Sequence, residues 1–237
     1  MSSGGGQSDR LPAITSLDPD PRRPGAVRVE IAGARFAAIP REVVALEELA
    51  VGRVVDAELQ QRLGAAADAE AAFRTVLRAL ERRSYARADL ARRLTRKGHP
   101  RSAVEFAVER AAGSGLLDDA AFASNYVQSR APRGRGPSRL THDLLSMGVE
   151  RSLIDRALAS QWPEGSDQTA LPLALATKRA GQLGELPRSV KRRRILAYLA
   201  RRGFSGREVT EMVGRVVGEV EGRRSKVKEV EGRRSKV

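Results

Sequence analysis

The sequence predicts a mainly α protein: three tandem three-helix repeats in an elongated, curved array, preceded by a small N-terminal β-hairpin/helix module. Two aliphatic residues and a glycine at i, i+4, i+8 recur three times, as Leu90, Leu94 and Gly98, as Leu140, Leu144 and Gly148, and as Ile195, Leu199 and Gly203. Beyond each glycine, apolar residues return six, nine and ten positions on: Val104, Ala107 and Val108; Ile154, Ala157 and Leu158; Val209, Met212 and Val213. Aromatic residues make up only 4% of the chain, so the core must be Leu, Val and Ala, which suits helix packing better than a β-sandwich. One such unit exposes apolar surface that a neighbour must cover, which is the logic of a short solenoid.

Residues 1–25 mix Gly, Ser, Pro and Asp without period and read as a disordered leader. A small α+β module is expected over 26–69. Val27, Val29 and Ile31 alternate with Arg28 and Glu30, and a second run passes through Phe36 and Ile39, so two strands should meet in a tight turn at Gly33. Pro40 ends this run, and Val43, Val44, Leu46 and Leu49 have the spacing of a short amphipathic helix. Between Ala26 and Glu70 stand five basic and eight acidic residues, which places the positive charge elsewhere. From Ala71 the pattern is helical. Repeat 1 (70–117) begins with a helix around Phe73, Val76, Leu77 and Leu80, and Pro100 marks a later helix start. Repeat 2 covers 118–162. Repeat 3 (163–218) opens with a helix over Leu173 to Ala180 and contains a capping box at Ser205 and Glu208. The linker QWPEGSDQT at 161–169 leaves the third repeat free to change its angle. The tail, 219–237, states EVEGRRSKV twice around Lys228 and reads as a solvated basic segment.

The middle repeat carries the most information. Asp118 and Asp119 suit a helix start, where short acidic side chains meet free amides and the positive end of the dipole. Phe122, Ala123, Tyr126 and Val127 share one face of that helix, so the two rings belong to the core rather than to a base-stacking platform. Arg130, Arg133 and Arg135 follow in an elbow with Gly134 and Gly136, Pro137 suits the first turn of the next helix, and Gly148 is a C-terminal stop. With Gly115, Asp118, Asp119, Phe122, Ala123, Tyr126, Arg130, Gly134, Gly136, Pro137, Leu144 and Gly148 in place, this stretch resembles the signature of the RecX family, bacterial regulators of the RecA recombinase. The likeness runs from about Glu70 to Val217, and the family's tandem three-helix repeats agree with the periodicity. In repeat 1 the chain carries Arg83, Tyr85, Leu90, Leu94, Lys97 and Gly98 of the family pattern but has Ala86 and Asp89 where serine and glutamate are usual. The loss of that cap costs on the order of 1 kcal/mol.

Several chemistries are excluded or disfavoured. The chain has no cysteine, so disulfides, thiol nucleophiles and cysteine-based zinc sites are ruled out. Its two histidines, His99 and His142, lie beside no carboxylate cluster at ligand spacing, and no phosphate-cradling loop of NTPase type is present. Adjacent Asp118 and Asp119 diverge by about 100° on a helix and make a poor catalytic pair. No enzyme, metal or cofactor is expected. No apolar run reaches the roughly 18 residues of a membrane span, and a cytoplasmic, monomeric protein is the expectation.

The formal net charge of +14 favours a polyanionic partner. It is clustered. Eight cations lie between Arg82 and Arg101 against Asp89 alone, the elbow carries four, and the third repeat carries Lys191–Arg194 with Arg201, Arg202 and Arg207. The candidate binding residues are Arg83, Arg87, Arg93 and Lys97; Arg130, Arg133, Arg135 and Arg139; Lys191, Arg192, Arg194 and Arg202. On regularly stacked repeats these would form one stripe suited to phosphate. The resemblance implies binding to the RecA filament, with contacts to the backbone of single- and double-stranded DNA. It also implies inhibition of ATPase, strand exchange and co-protease activity, and hence a role in recombinational repair and the SOS response. The alternatives are a DNA-binding protein of helix-turn-helix type acting on transcription, and a protein-binding adaptor whose arginines only solubilise it.

Overall fold

A computed structural model describes residues 11–163, 165 and 167–218. Within it the chain divides after Leu117 into two compact units.

The first unit opens with an antiparallel meander of β1 (Ile14–Pro19), β2 (Ala26–Ile31) and β3 (Ala34–Pro40), in that order across the sheet. The expected hairpin is β2–β3, closed by Ala32 and Gly33, both at positive φ as the tightest hairpin turn requires. The disordered leader is corrected over 11–25, where β1 pairs with β2; residues 1–10 lie outside the described residues. A bulge between Ile14 and Ser16 sets Ile14 and Leu17 three apart, so the strand shows no clean two-residue alternation.

Behind the sheet, α1 (Arg41–Leu46) leads to α2 (Ala57–Leu80), whose N-cap Asp56 accepts from the amide of Leu59. This 24-residue helix serves two cores. Leu59 and Leu63 pack with Ile14, Val29 and Ile39 of the sheet, while Phe73, Val76 and Ala79 pack with α3 (Arg87–Arg96) and α4 (Arg101–Gly113). The expected boundary at 69/70 therefore falls inside a helix. Helix α3 starts at Arg87 without a side-chain cap from Ala86, as the missing serine implied.

The second unit holds α5 (Asp119–Arg130), α6 (Pro137–Ser146) and α7 (Arg151–Gln161), followed by α8 (Ala170–Gln182), α9 (Arg188–Arg202) and a helical run over 207–218, here α10. Three helices per repeat are thus present in each of three copies. The repeat is visible in burial: Leu90, Leu94, Leu140, Leu144, Ile195 and Leu199 are all fully buried. Gly98, Gly148 and Gly203 end their helices at φ of 86°, 83° and 89°, the left-handed region where a side chain is strained. The capping box at Ser205 is displaced: α10 begins at Arg207, and the amide of Thr210 donates to the carbonyl of Gly206 instead. The duplicated tail, 219–237, lies outside the described residues.

Candidate functional site

Helix α5 is started by Asp118, whose carboxylate accepts from the amides of Ala120 and Ala121 at 2.8 and 3.0 Å. That fixes the face carrying Phe122 and Tyr126, whose ring centroids lie 6.1 Å apart. Tyr126 is buried, and its hydroxyl donates to Oδ2 of Asp143 at 3.2 Å. Asp143 sits on α6 between Leu140 and Leu144 and is itself only 7% exposed. It also takes a guanidinium bond from Arg135 on Oδ2 and another from Arg139 on Oδ1, the latter at 3.0 Å. Arg130 lies over the Tyr126 ring, its Cζ 3.7 Å from the ring centre.

One buried carboxylate thus organises two guanidiniums directly and, through a tyrosine, a third. The cluster still carries a net positive charge, because Asp143 cancels only one of three cations. Burial holds the Tyr126 phenol above its usual range, and the Asp143 carboxylate adds to that, while Arg130 and Arg135 oppose it. Charge counting along the sequence finds four cations at the elbow and does not single out Asp143. The signal was present, since an aspartate on the apolar stripe of α6, four residues after Arg139, needs a buried cation or donor.

The elbow is seated against the end of α9. The amide of Gly136 donates to the carbonyl of Arg202 at 2.6 Å, and that of Ser138 to the carbonyl of Gly203 at 3.3 Å. A Cβ on Gly136 would stand 2.5 Å from the Gly203 carbonyl oxygen, and one on Gly203 would stand 2.3 Å from the Arg139 amide. Both positions are glycine because two backbones touch there. Arg202 donates to the carbonyls of Arg133 and Gly134 at 3.4 and 3.3 Å and lies 4.7 Å from the Tyr198 ring centre. It is therefore a joint residue, and the third repeat is held to the second rather than left free to change its angle.

The remaining candidates separate by exposure. Arg133, Arg139, Arg192 and Arg194 are exposed. Lys191 is not: at 3% exposure on the inner face of α9 it is removed from the candidate set, the i, i+4 relation to Ile195 having placed it on the core side. In the first unit Arg83, Arg87 and Lys97 are exposed and Arg93 is half-buried. Arg83 and Arg93 flank Tyr85, at 3.8 and 5.8 Å from its ring centre, and Asp89 lies 3.8 Å from Arg83. Each of the chain's three tyrosines therefore carries a guanidinium on its face. Such stacking holds a long side chain in one orientation and keeps its forked edge outward.

Among the described residues no group of three or more histidines and carboxylates is placed to hold a metal ion, and no helix is long and apolar enough to cross a membrane.

Comparison with known proteins bears on the same region. Residues 118–158 match the family description "RecX, second three-helix domain". Regulatory protein RecX of Pseudomonas entomophila (strain L48) is 35% identical over 145 residues, spanning 61% of this chain and 88% of that protein. Regulatory protein RecX of Mycobacterium ulcerans (strain Agy99) is 37% identical over 138 residues, spanning 58% and 79%. A crystal structure of regulatory protein RecX superposes with a TM-score of 0.70 at 24% identity, covering 86% of this chain and 98% of that one.

Proposed function

The chain belongs to the RecX family, and on that premise we propose that it is a non-catalytic regulator that binds the RecA–DNA filament through its basic surfaces and slows the filament's ATPase. Strand exchange and co-protease action fall with it. The observation that supports this reading is the cluster around Asp143, where arginines are held in fixed orientation at a net positive elbow. Pre-orientation matters because an ordered guanidinium loses less freedom when it meets a phosphate or carboxylate. Several cationic surfaces on one chain also permit simultaneous contacts along a polymer, which multiplies weak affinities.

Titrating the full chain into a RecA filament on single-stranded DNA tests this. Sub-stoichiometric protein is expected to lower the ATPase rate; unchanged turnover with the protein in excess would overturn the reading. The informative variant combines Arg133→Gln, Arg192→Gln and Arg194→Gln, since these three are exposed and have no carboxylate within ion-pair distance among the described residues. It should inhibit more weakly at unchanged thermal stability.

A further inference from the structure

A second cationic site lies in the first unit, built on arginines outside the candidate set. Where α2 crosses the sheet, a cleft of about 500 Å³ is lined by Arg23 from the β1–β2 turn, Arg35 of β3, Arg74 and Arg78 of α2, and His99. The stretch from Ala26 to Glu70 is acidic in sum, yet it supplies Arg35 to this group. Two carboxylates also line the cleft, Asp68 and Glu70. Glu70 is engaged by Arg110 at 3.3 Å, and Arg23 is engaged by Asp20 at 3.4 Å. Arg35, Arg74 and Arg78 then face Asp68 alone, and among the described residues none of the three has a carboxylate within 4.0 Å. Arg78 spends only its Nε, on the carbonyl of Arg74 at 3.3 Å, which leaves both terminal nitrogens for a ligand.

Three under-neutralised guanidiniums in one recess repel each other and call for an anion. Arg74 and Arg78 stand one helical turn apart on α2, about 5–6 Å between Cβ atoms, and Arg35 lies on β3, so the cations reach the recess from two elements. The trough is open, and Phe36 at its border is half-buried and packed against the core beneath the sheet. An open row of cations is an arrangement that tracks the backbone of a strand and tolerates any base. The polar floor at Thr75 and His99 is already satisfied: the Thr75 hydroxyl donates to the Ala71 carbonyl at 3.0 Å and accepts from His99 Nε2 at 3.1 Å.

We propose that this cleft binds the phosphodiester backbone of a single nucleic-acid strand through Arg35, Arg74 and Arg78. The inference deepens the reading above, which supplies its nucleoprotein setting, but binding is measured without any recombinase. Anisotropy of a labelled oligothymidylate is followed against the full-length chain over a range of salt. The double variant Arg35→Gln/Arg78→Gln alters only exposed side chains. It should bind about tenfold more weakly at low salt, with the log–log salt slope reduced by about 1.4, or 0.7 for each lost phosphate contact on a single strand. Arg35→Lys/Arg78→Lys should recover most of that slope, and urea unfolding should be the same for all three proteins. An unaltered slope in the Gln pair overturns the proposal. So does displacement of the strand from the wild type by polyglutamate or inorganic triphosphate at equal charge concentration, since the cleft would then take carboxylates or single phosphates. A filament ATPase that ignores the protein while the salt slope responds would sink the filament reading and leave this one standing.

Discussion

Asp143 decides where the elbow arginines point. Its carboxylate receives Tyr126, Arg135 and Arg139, and it is buried while the two guanidiniums remain about half exposed. Asp143→Asn keeps the shape and an acceptor for Tyr126 but removes the charge, and the partial exposure of both arginines limits the penalty to about 1–2 kcal/mol in urea unfolding. Removing Asp143 should also weaken filament inhibition although it raises the net charge, because the cations lose their orientation. Tyr126 supplies a second readout. Its phenol is raised in the fold, so its contribution to stability is complete below the unfolded value near 10 and is lost as pH climbs through the folded one. An alkaline absorbance titration should show a tyrosine step above the usual range, and that step should vanish in Tyr126→Phe. None of this was legible from charge counting, which registers an arginine-rich turn and passes over a single aspartate on an apolar stripe.

The elements show where periodicity suffices and where it does not. Helix starts at Asp118 and Pro137 and stops at Gly98, Gly148 and Gly203 follow from local chemistry that any reader of the chain can apply. Two elements escaped. Strand β1 was hidden by its bulge, and the first half of α2 by a run of alanines that favours helix but marks no face. Contacts between elements were illegible as well: Gly98 and Gly203 occupy the same repeat position with nearly the same φ, yet a Cβ at Gly98 meets nothing within 4 Å while one at Gly203 meets the Arg139 backbone. Gly98→Ala should therefore cost only the left-handed strain, about 1–2 kcal/mol, and Gly203→Ala about 2–5 kcal/mol because a backbone clash is added. Equilibrium urea unfolding of the two variants side by side checks the difference; equal losses would mean that the elbow does not depend on this contact.

Across the whole molecule, positive charge is distributed in small groups, each anchored in its own way. Tyr85 flanks one group, Asp143 and Tyr126 organise another, and α9 leaves Arg192–Arg194 in solvent while burying Lys191. Composition conveys the sum of these charges but not which are already employed in holding the protein together. The contact between Gly136 and Gly203 adds a restriction of another kind, on the order of the copies. A chain re-spliced so that the first module's second helix stood in third place would bring Lys97, Gly98 and His99 to where Arg202, Gly203 and Phe204 now stand. The glycine would survive the exchange, but the guanidinium that latches the Arg133 and Gly134 carbonyls, and the buried phenyl ring next to it, would be lost. Copies alike in their spacing are thus not interchangeable beads, and a shuffled chain would have no seat for the elbow.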